Sequence, residues 1–262
     1  MKSIASRQNP IVAHYRSAAR GDAADVVLLD GVHLVVEALE AGIPLHDVAV
    51  ASDATGRADV KEATRALVDR GVDFVTVSAS VIDAISPVRS SSPIVALACR
   101  PSTDEARLYR SAAPLVIVAV DVQDPGNVGA IVRVAEAAGA TGVVAAGASA
   151  DPLGWKALRG SMGSALRLPL TAASDVGASI AGARRHGCRI VATVARGGRS
   201  VFDVDYTGPV AILIGGEGPG LPESIVGRAD ERVTIPMRPP VESLNAAVTA
   251  ALIVYEAHRQ RR

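Results

Sequence analysis

The chain has 262 residues, 49% of them hydrophobic and 21% charged, a balance that excludes a disordered or collagen-like protein and allows one large domain or two small ones. Lys plus Arg and Asp plus Glu each number 27, so an anionic partner must be met by a local patch and not by a bulk field. Aromatic residues make up only 3%, which argues against a stacking platform for single-stranded nucleic acid. In chain order, residues 26–30 (VVLLD) have the length and apolarity of a strand. HLVVEALEAG follows with helical spacing and a terminal Gly that suits a C-cap. HDVAVA (46–51) reads as a strand, VKEATRALVDRG as an amphipathic helix, FVTVS as a strand, SASVIDAIS as a short helix and PIVALA (93–98) as a strand. These form a small α/β domain, expected over residues 1–104.

The stretch 100–113 (RPSTDEARLYRSAA) loses apolar periodicity and reads as a linker, with room for a short helix. LVIVAVD (115–121) is a near-continuous apolar strand, the pattern expected when both faces of a sheet are covered. After it come a loop (QDPGN), the helix VGAIVRVAEAAGA, the strand GVVAAG and a polar segment holding Trp155 and Gly160. Helix SDVGASIAGARRHG, strands RIVATV and VAILIGG, a Gly-rich loop, a short helix, strand RVTIP and a last helix complete the series. Strands alternating with helices imply a mainly parallel sheet, so residues 105–262 are expected as a second α/β domain. Residues 1–104 hold 10 Lys/Arg against 13 Asp/Glu and residues 105–262 hold 17 against 14, a margin too small to identify an RNA-binding half.

Cys99 and Cys188 have no CxxC or ligand spacing, so neither a disulfide framework nor a zinc site is expected, and a reducing cytoplasm is. The first twenty residues lack the apolar core of a signal peptide. The longest apolar runs fall far short of a membrane span, so a soluble protein is expected. The five histidines are scattered, without an HExxH or triad context.

Three loops at the ends of strands stand out, where open α/β sheets bind ligands. In DVQDPGNVGAIVR (121–133), Asn127 is expected as a helix N-cap, and Arg133 can reach back over the small Gly129 and Ala130. Taken alone it is equally an ordinary capped helix with a solvated arginine. AILIGGEGPGL (211–221) packs four glycines into six residues, implying close backbone approach or positive-φ turns. It fits neither the Walker A nor the GxGxxG spacing, and a Gly-rich turn with a solvent-facing Glu217 explains it as well. In VTIPMRPPVESLNAAVTAALIVYEAHR (233–259), Ser243 is placed to cap a helix whose apolar stripe is Leu244, Val248, Leu252 and Tyr255, with Asn245 in its first turn.

In combination and order, NVGAIVR, IGGEGPGL and IPMRPPVESLNAAVTAAL resemble the three signature motifs of the SpoU class of SPOUT RNA 2′-O-ribose methyltransferases. SRQNPIVAHYRSAA, LLDGVHLVVEALEAG and SSPIVALA are similar to the small substrate-binding domain that precedes the catalytic domain in many members. The resemblance implies a trefoil-knotted catalytic domain that binds S-adenosylmethionine (AdoMet) in a bent form. It implies Gly215, Ile235 and Leu244 as cofactor contacts, with Gly216, Gly220 and Thr193 as further candidates. It implies Asn127, Arg133, Glu217, Ser243 and Asn245 at the reaction centre, and a homodimer packed beside the cofactor. The expected activity is methylation of a ribose 2′-hydroxyl in structured RNA, large-subunit ribosomal RNA first and transfer RNA second, with no metal and no covalent intermediate. Arg133 is expected to act on the attacking hydroxyl, as base or as positioning group; a guanidinium is a poor proton acceptor at neutral pH. A non-catalytic RNA-binding module of the same fold and a doubly wound nucleotide-binding enzyme are the alternatives.

Overall fold

The computed structural model describes residues 3–102 and 104–262. The chain divides into two compact units, Met1–Pro101 with Leu153–Arg167, and Ser102–Pro152 with Leu168–Arg262. The first contains β1 (Ser3–Ile4), α1 (Pro10–Arg20), β2 (Val26–Asp30), α2 (Val32–Glu40), β3 (Leu45–Ala51), α3 (Ala58–Asp69), β4 (Val75–Val77), α4 (Ala79–Ile85) and β5 (Ile94–Cys99). Its five-stranded sheet has the order β1-β4-β3-β5-β2, parallel except for β5, which runs against both neighbours. The sequence reading passed over α1. Its start is nonetheless written locally: the Asn9 side chain accepts from the Ile11 N–H, Pro10 opens the helix, and Val12 and Tyr15 are buried.

The second unit contains β6 (Leu115–Val120), α5 (Pro125–Ala137) and β7 (Gly142–Ala146). The chain then leaves it for α6 (Trp155–Ser161) and returns as β8 (Leu170–Ala173) and α7 (Val176–Arg185). β9 (Arg189–Thr193), β10 (Arg199–Ser200), β11 (Val210–Gly215), α8 (Glu223–Val226), β12 (Glu231–Thr234) and α9 (Ala246–Gln260) complete it. Its seven strands are all parallel in the order β10-β12-β9-β11-β6-β7-β8. Every residue of β6 is buried, because helices cover both faces of a parallel sheet. The sheet grows outward from β6 to β8 in one direction, and β11 is inserted between β6 and β9. The carboxyl ends of β6 and β11 therefore meet at a reversal of strand order, the usual ligand crevice of such sheets.

Three expectations are corrected. Residues 153–167, read as part of the second domain, belong by their contacts to the first unit, and the polar segment with Trp155 is helix α6. Arg159 donates to the fully buried Asp30 carboxylate at 3.0 Å, and Arg167 pairs with Glu37. The short helix allowed for in the linker 100–113 is present as a 3-10 helix, Glu105–Tyr109, whose Leu108 and Tyr109 join the core of the second unit. Helix α5 starts two residues before Asn127: Asp124 is its N-cap, accepting from the Asn127 N–H at 2.8 Å, because Pro125 is pre-shaped for the first helical position. Asn245, not Ser243, caps α9, accepting from the N–H groups of Ala247 and Val248. The stripe Val248, Leu252 and Tyr255 is exposed by 44–50%, while Ala246, Ala250, Ile253, Val254 and Ala257 are buried. Small residues turn inward there because α9 packs closely on α5. Among the described residues no helix is long and apolar enough to cross a membrane.

Candidate functional site

The carboxyl edge of the seven-stranded sheet positions the site. After β11 the chain makes two close approaches that demand glycine. A side-chain carbon on Gly216 would collide with the Asp121 carbonyl oxygen, and one on Gly215 with the backbone of Gly220 and Leu221. The Gly216 N–H also donates to the Val120 carbonyl at 2.8 Å. The loop after β11 thus folds onto itself and onto the end of β6, which fixes where Glu217 projects.

Beside this loop lies a cavity of about 390 Å³, within the range of small-molecule sites. Thr193, Gly215, Gly216, Gly220, Ile235 and Leu244 all line it, together with Glu217, Ser243 and Asn245. The structure therefore gathers around one space the residues that the resemblance implies as cofactor contacts and three of the five that it implies at a reaction centre. Val194, Val226, Val233, Met237 and Ile253 add apolar wall that the sequence reading did not single out. They escaped notice because single apolar residues scattered over loops, a strand and two helices carry no signal apart from the fold. The Thr193 hydroxyl is already engaged, donating to the Leu213 carbonyl at 3.0 Å. Its hydroxyl thus ties β9 to β11.

Asn127 is outside the cavity lining but joins the three loops. Its side-chain amide donates to the Glu217 carboxylate, and its carbonyl oxygen accepts from the Asn245 amide at 3.0 Å. Asn245 in turn spends its own carbonyl oxygen on the start of α9. The result is a directional chain in which α9 orients Asn245, Asn245 orients Asn127, and Asn127 orients Glu217. The carboxylate fixed in this way is exposed at the cavity and presents its acceptor oxygens at a defined place there. Arg133 lies further along α5, exposed, and its side chain makes no hydrogen bond or ion pair among the described residues. Ser243 is exposed at the cavity edge.

Other polar groups are committed elsewhere. His186 stacks on Tyr109 with ring centroids 4.3 Å apart, and His46 meets Cys99 at 3.0 Å. Burial pushes the Cys188 thiol up to about 11, which makes it unreactive at neutral pH. No cluster of three metal-ligating side chains occurs among the described residues.

The SpoU rRNA Methylase family model matches residues 114–255, and the model of the thiostrepton-resistance methylase N terminus matches residues 1–111. An uncharacterized tRNA/rRNA methyltransferase of Mycobacterium sp. (strain KMS) is 33% identical over 94% of this chain and 80% of its own. One from Synechocystis sp. is 30% identical over 99% and 94%. The AdoMet-bound rRNA methyltransferase of Sinorhizobium meliloti superposes with a TM-score of 0.86 at 28% identity, covering 98% of this chain and 97% of that one. An RNA 2′-O ribose methyltransferase matches with a TM-score of 0.83 at 31% identity over 99% of both chains.

Proposed function

The chain belongs to the SpoU rRNA methylase family of RNA methyltransferases, and from that premise we infer that it transfers a methyl group from AdoMet to a ribose 2′-hydroxyl in structured RNA. The observation that carries this reading is that the second and third motif loops line one cavity, while Asn127 of the first loop, outside the lining, hydrogen-bonds to Glu217 and Asn245 of the other two. The cavity fits the cofactor by its chemistry: apolar walls suit an adenine and a thioether chain, and a held carboxylate suits a cationic ligand. AdoMet supplies an electrophilic methyl carbon on a sulfonium; the protein's task is to hold and orient. Gly215, Gly216, Gly220, Ile235 and Leu244 hold the cofactor, with the Thr193 backbone beside them. Asn127, Glu217, Ser243 and Asn245 shape the polar side of the pocket. Arg133, exposed and uncommitted, orients the ribose oxygen through its planar fork, and an RNA phosphate oxygen takes the proton. The trefoil knot belongs to the same reading.

Large-subunit ribosomal RNA is the favoured target and transfer RNA the second, because an RNA methyltransferase with an appended α/β unit is suited to a folded RNA element. The S. meliloti relative is named an rRNA methyltransferase. The exposed stripe Val248, Leu252 and Tyr255 supports a homodimer, since apolar side chains at helical spacing on one face are what an interface covers. Light scattering is expected to give twice the 26.8 kDa chain mass. Calorimetry with AdoMet, S-adenosylhomocysteine, ATP and NAD tests the cofactor assignment, with binding expected for the first two alone. Mapping 2′-O-methyl marks on ribosomal and transfer RNA from a deletion strain then identifies the target. Loss of no mark in either RNA would refute the reading.

A further inference from the structure

We propose that Asp121 is a positioning residue for methyl transfer, acting as the hub that holds the loop after β6 in register with the loop after β11. The inference rests on the methyltransferase reading but uses a residue outside the site described above. Asp121 directly follows β6 and has a backbone φ of 55°, the left-handed region that non-glycine residues seldom occupy. Only one other described non-glycine residue, Met162, has a positive φ. Aspartate tolerates that conformation better than most residues, yet it persists only where the surroundings hold it.

The surroundings are specific. One Asp121 carboxylate oxygen accepts from the Ala148 N–H at 2.7 Å, beyond the end of β7. Gly147, at φ 66°, has no room for a side chain because that same oxygen fills the space. The Asp121 N–H donates to the Ala146 carbonyl at 3.1 Å. Its carbonyl oxygen lies against Gly216, leaving no space for a side-chain carbon there. The next residue is laced to the same loop: the Val122 N–H donates to the Ser149 hydroxyl at 3.0 Å, and the Ala150 N–H to the Val122 carbonyl at 2.9 Å. Asp121 therefore touches three strand ends at once, those of β6, β7 and β11. Downstream of it the chain reaches Asn127, and Gly216 precedes Glu217. A shift at Asp121 changes the distance between the two residues whose contact joins the motif loops.

The proposal predicts a split between binding and turnover. Most of the cavity lining comes from loops that do not touch Asp121, so cofactor affinity should survive its loss. Alignment of Asn127 and Arg133 should not, and misplacement by about an ångström costs on the order of 100-fold in rate. Asp121→Gly keeps the left-handed backbone without strain but removes the tether. Asp121→Asn keeps an acceptor oxygen and tolerates the same φ. The experiment compares both variants with the wild type, using calorimetry with AdoMet and methyl transfer to unmodified large-subunit rRNA and tRNA transcripts. It also follows hydrogen exchange over residues 119–127, 147–150 and 214–222. Asp121→Gly is expected to lower kcat about 10- to 100-fold, to leave the AdoMet Kd within about threefold and to speed exchange in all three segments. Asp121→Asn is expected to restore kcat and exchange to within about threefold. Unchanged exchange or kcat in Asp121→Gly, or an Asp121→Asn variant as poor as Asp121→Gly, would overturn the proposal. A wild type that binds no AdoMet would sink the methyltransferase reading instead, while the exchange data would still decide whether the hub exists.

Discussion

The two sheets are made of similar strands and helices, yet among the described residues the pocket lined by motif loops lies on the seven-stranded one. In the seven-stranded sheet every strand is parallel, so the carboxyl ends of β6, β9, β11 and β12 share one edge. The observed cavity opens on that edge, beside the ends of β9, β11 and β12. In the five-stranded sheet β5 runs backwards between β3 and β2, which divides the strand termini between two edges. Its buried carboxylate, Asp30, is consumed internally by Ser86 at 2.6 Å, by Ser92 and by Arg159. The comparison teaches that strand direction, more than composition, decides which half can gather chemistry. The first unit spends its polar groups on holding itself and α6 together; the second spends Asn127, Glu217 and Asn245 on a cavity.

The harshest way to break that contrast is to remove the first unit. A fragment of residues 106–262 leaves Leu153–Arg167 without the unit it packs in, exposing Leu153, Ala157, Leu158 and Leu166. It is expected to aggregate or to melt without cooperativity, as followed by light scattering and circular dichroism; a soluble, cooperatively melting fragment would show that the second unit stands alone. Next in size, Arg133→Ala should lower kcat at least about 100-fold while leaving the AdoMet Kd unchanged, confining the chemistry to the second unit. In Arg133→Lys, activity rising with pH would assign the arginine as base, whereas a dead variant at every pH would assign positioning.

A smaller effect sharpens the other side. Arg159→Ala strips the buried Asp30 carboxylate of its cationic partner, whose own side chain is 44% exposed. Solvent screening reduces the penalty to about 2 kcal/mol in urea unfolding. Asp30→Asn in the same background should recover part of it, and AdoMet binding should not change. The smallest effect concerns Glu256 in α9. Hydrogen bonds from Arg259, and next from Gln260, lower its carboxyl from 4.5 to about 2. A depressed carboxyl stabilises the fold above its unfolded value, and that contribution is lost as pH falls from about 4.5 through about 2. Glu256→Gln should therefore lower Tm at neutral pH, where the contribution is fully present, and flatten the fall of Tm as pH drops through that window.

Much of this was legible from local pattern. Buried strands such as VVLLD and LVIVAVD announce themselves as apolar runs, and the Gly-rich loop after β11 reads as a close approach, which Asp121 and Gly216 make. Cap positions were harder. Asn127 and Ser243 are good capping residue types, but Asp124 before Pro125 and Asn245 before the alanine run won because backbone φ fixes where a helix begins. The stripe on α9 was legible as a stripe, but periodicity locates an apolar face without saying whether the same chain covers it, and here Val248, Leu252 and Tyr255 are exposed.

The sequence by itself determined the element series, the motif loops and their membership in a known family, because these depend on nearest neighbours and short spacings. Only the tertiary structure decided that Leu153–Arg167 belongs with the first unit and that Asn127 bridges Glu217 and Asn245. It alone decided that Asp121 touches three strand ends. Each of those pairings joins residues far apart in the chain, and their meeting is set by strand order and helix packing, which no local propensity encodes.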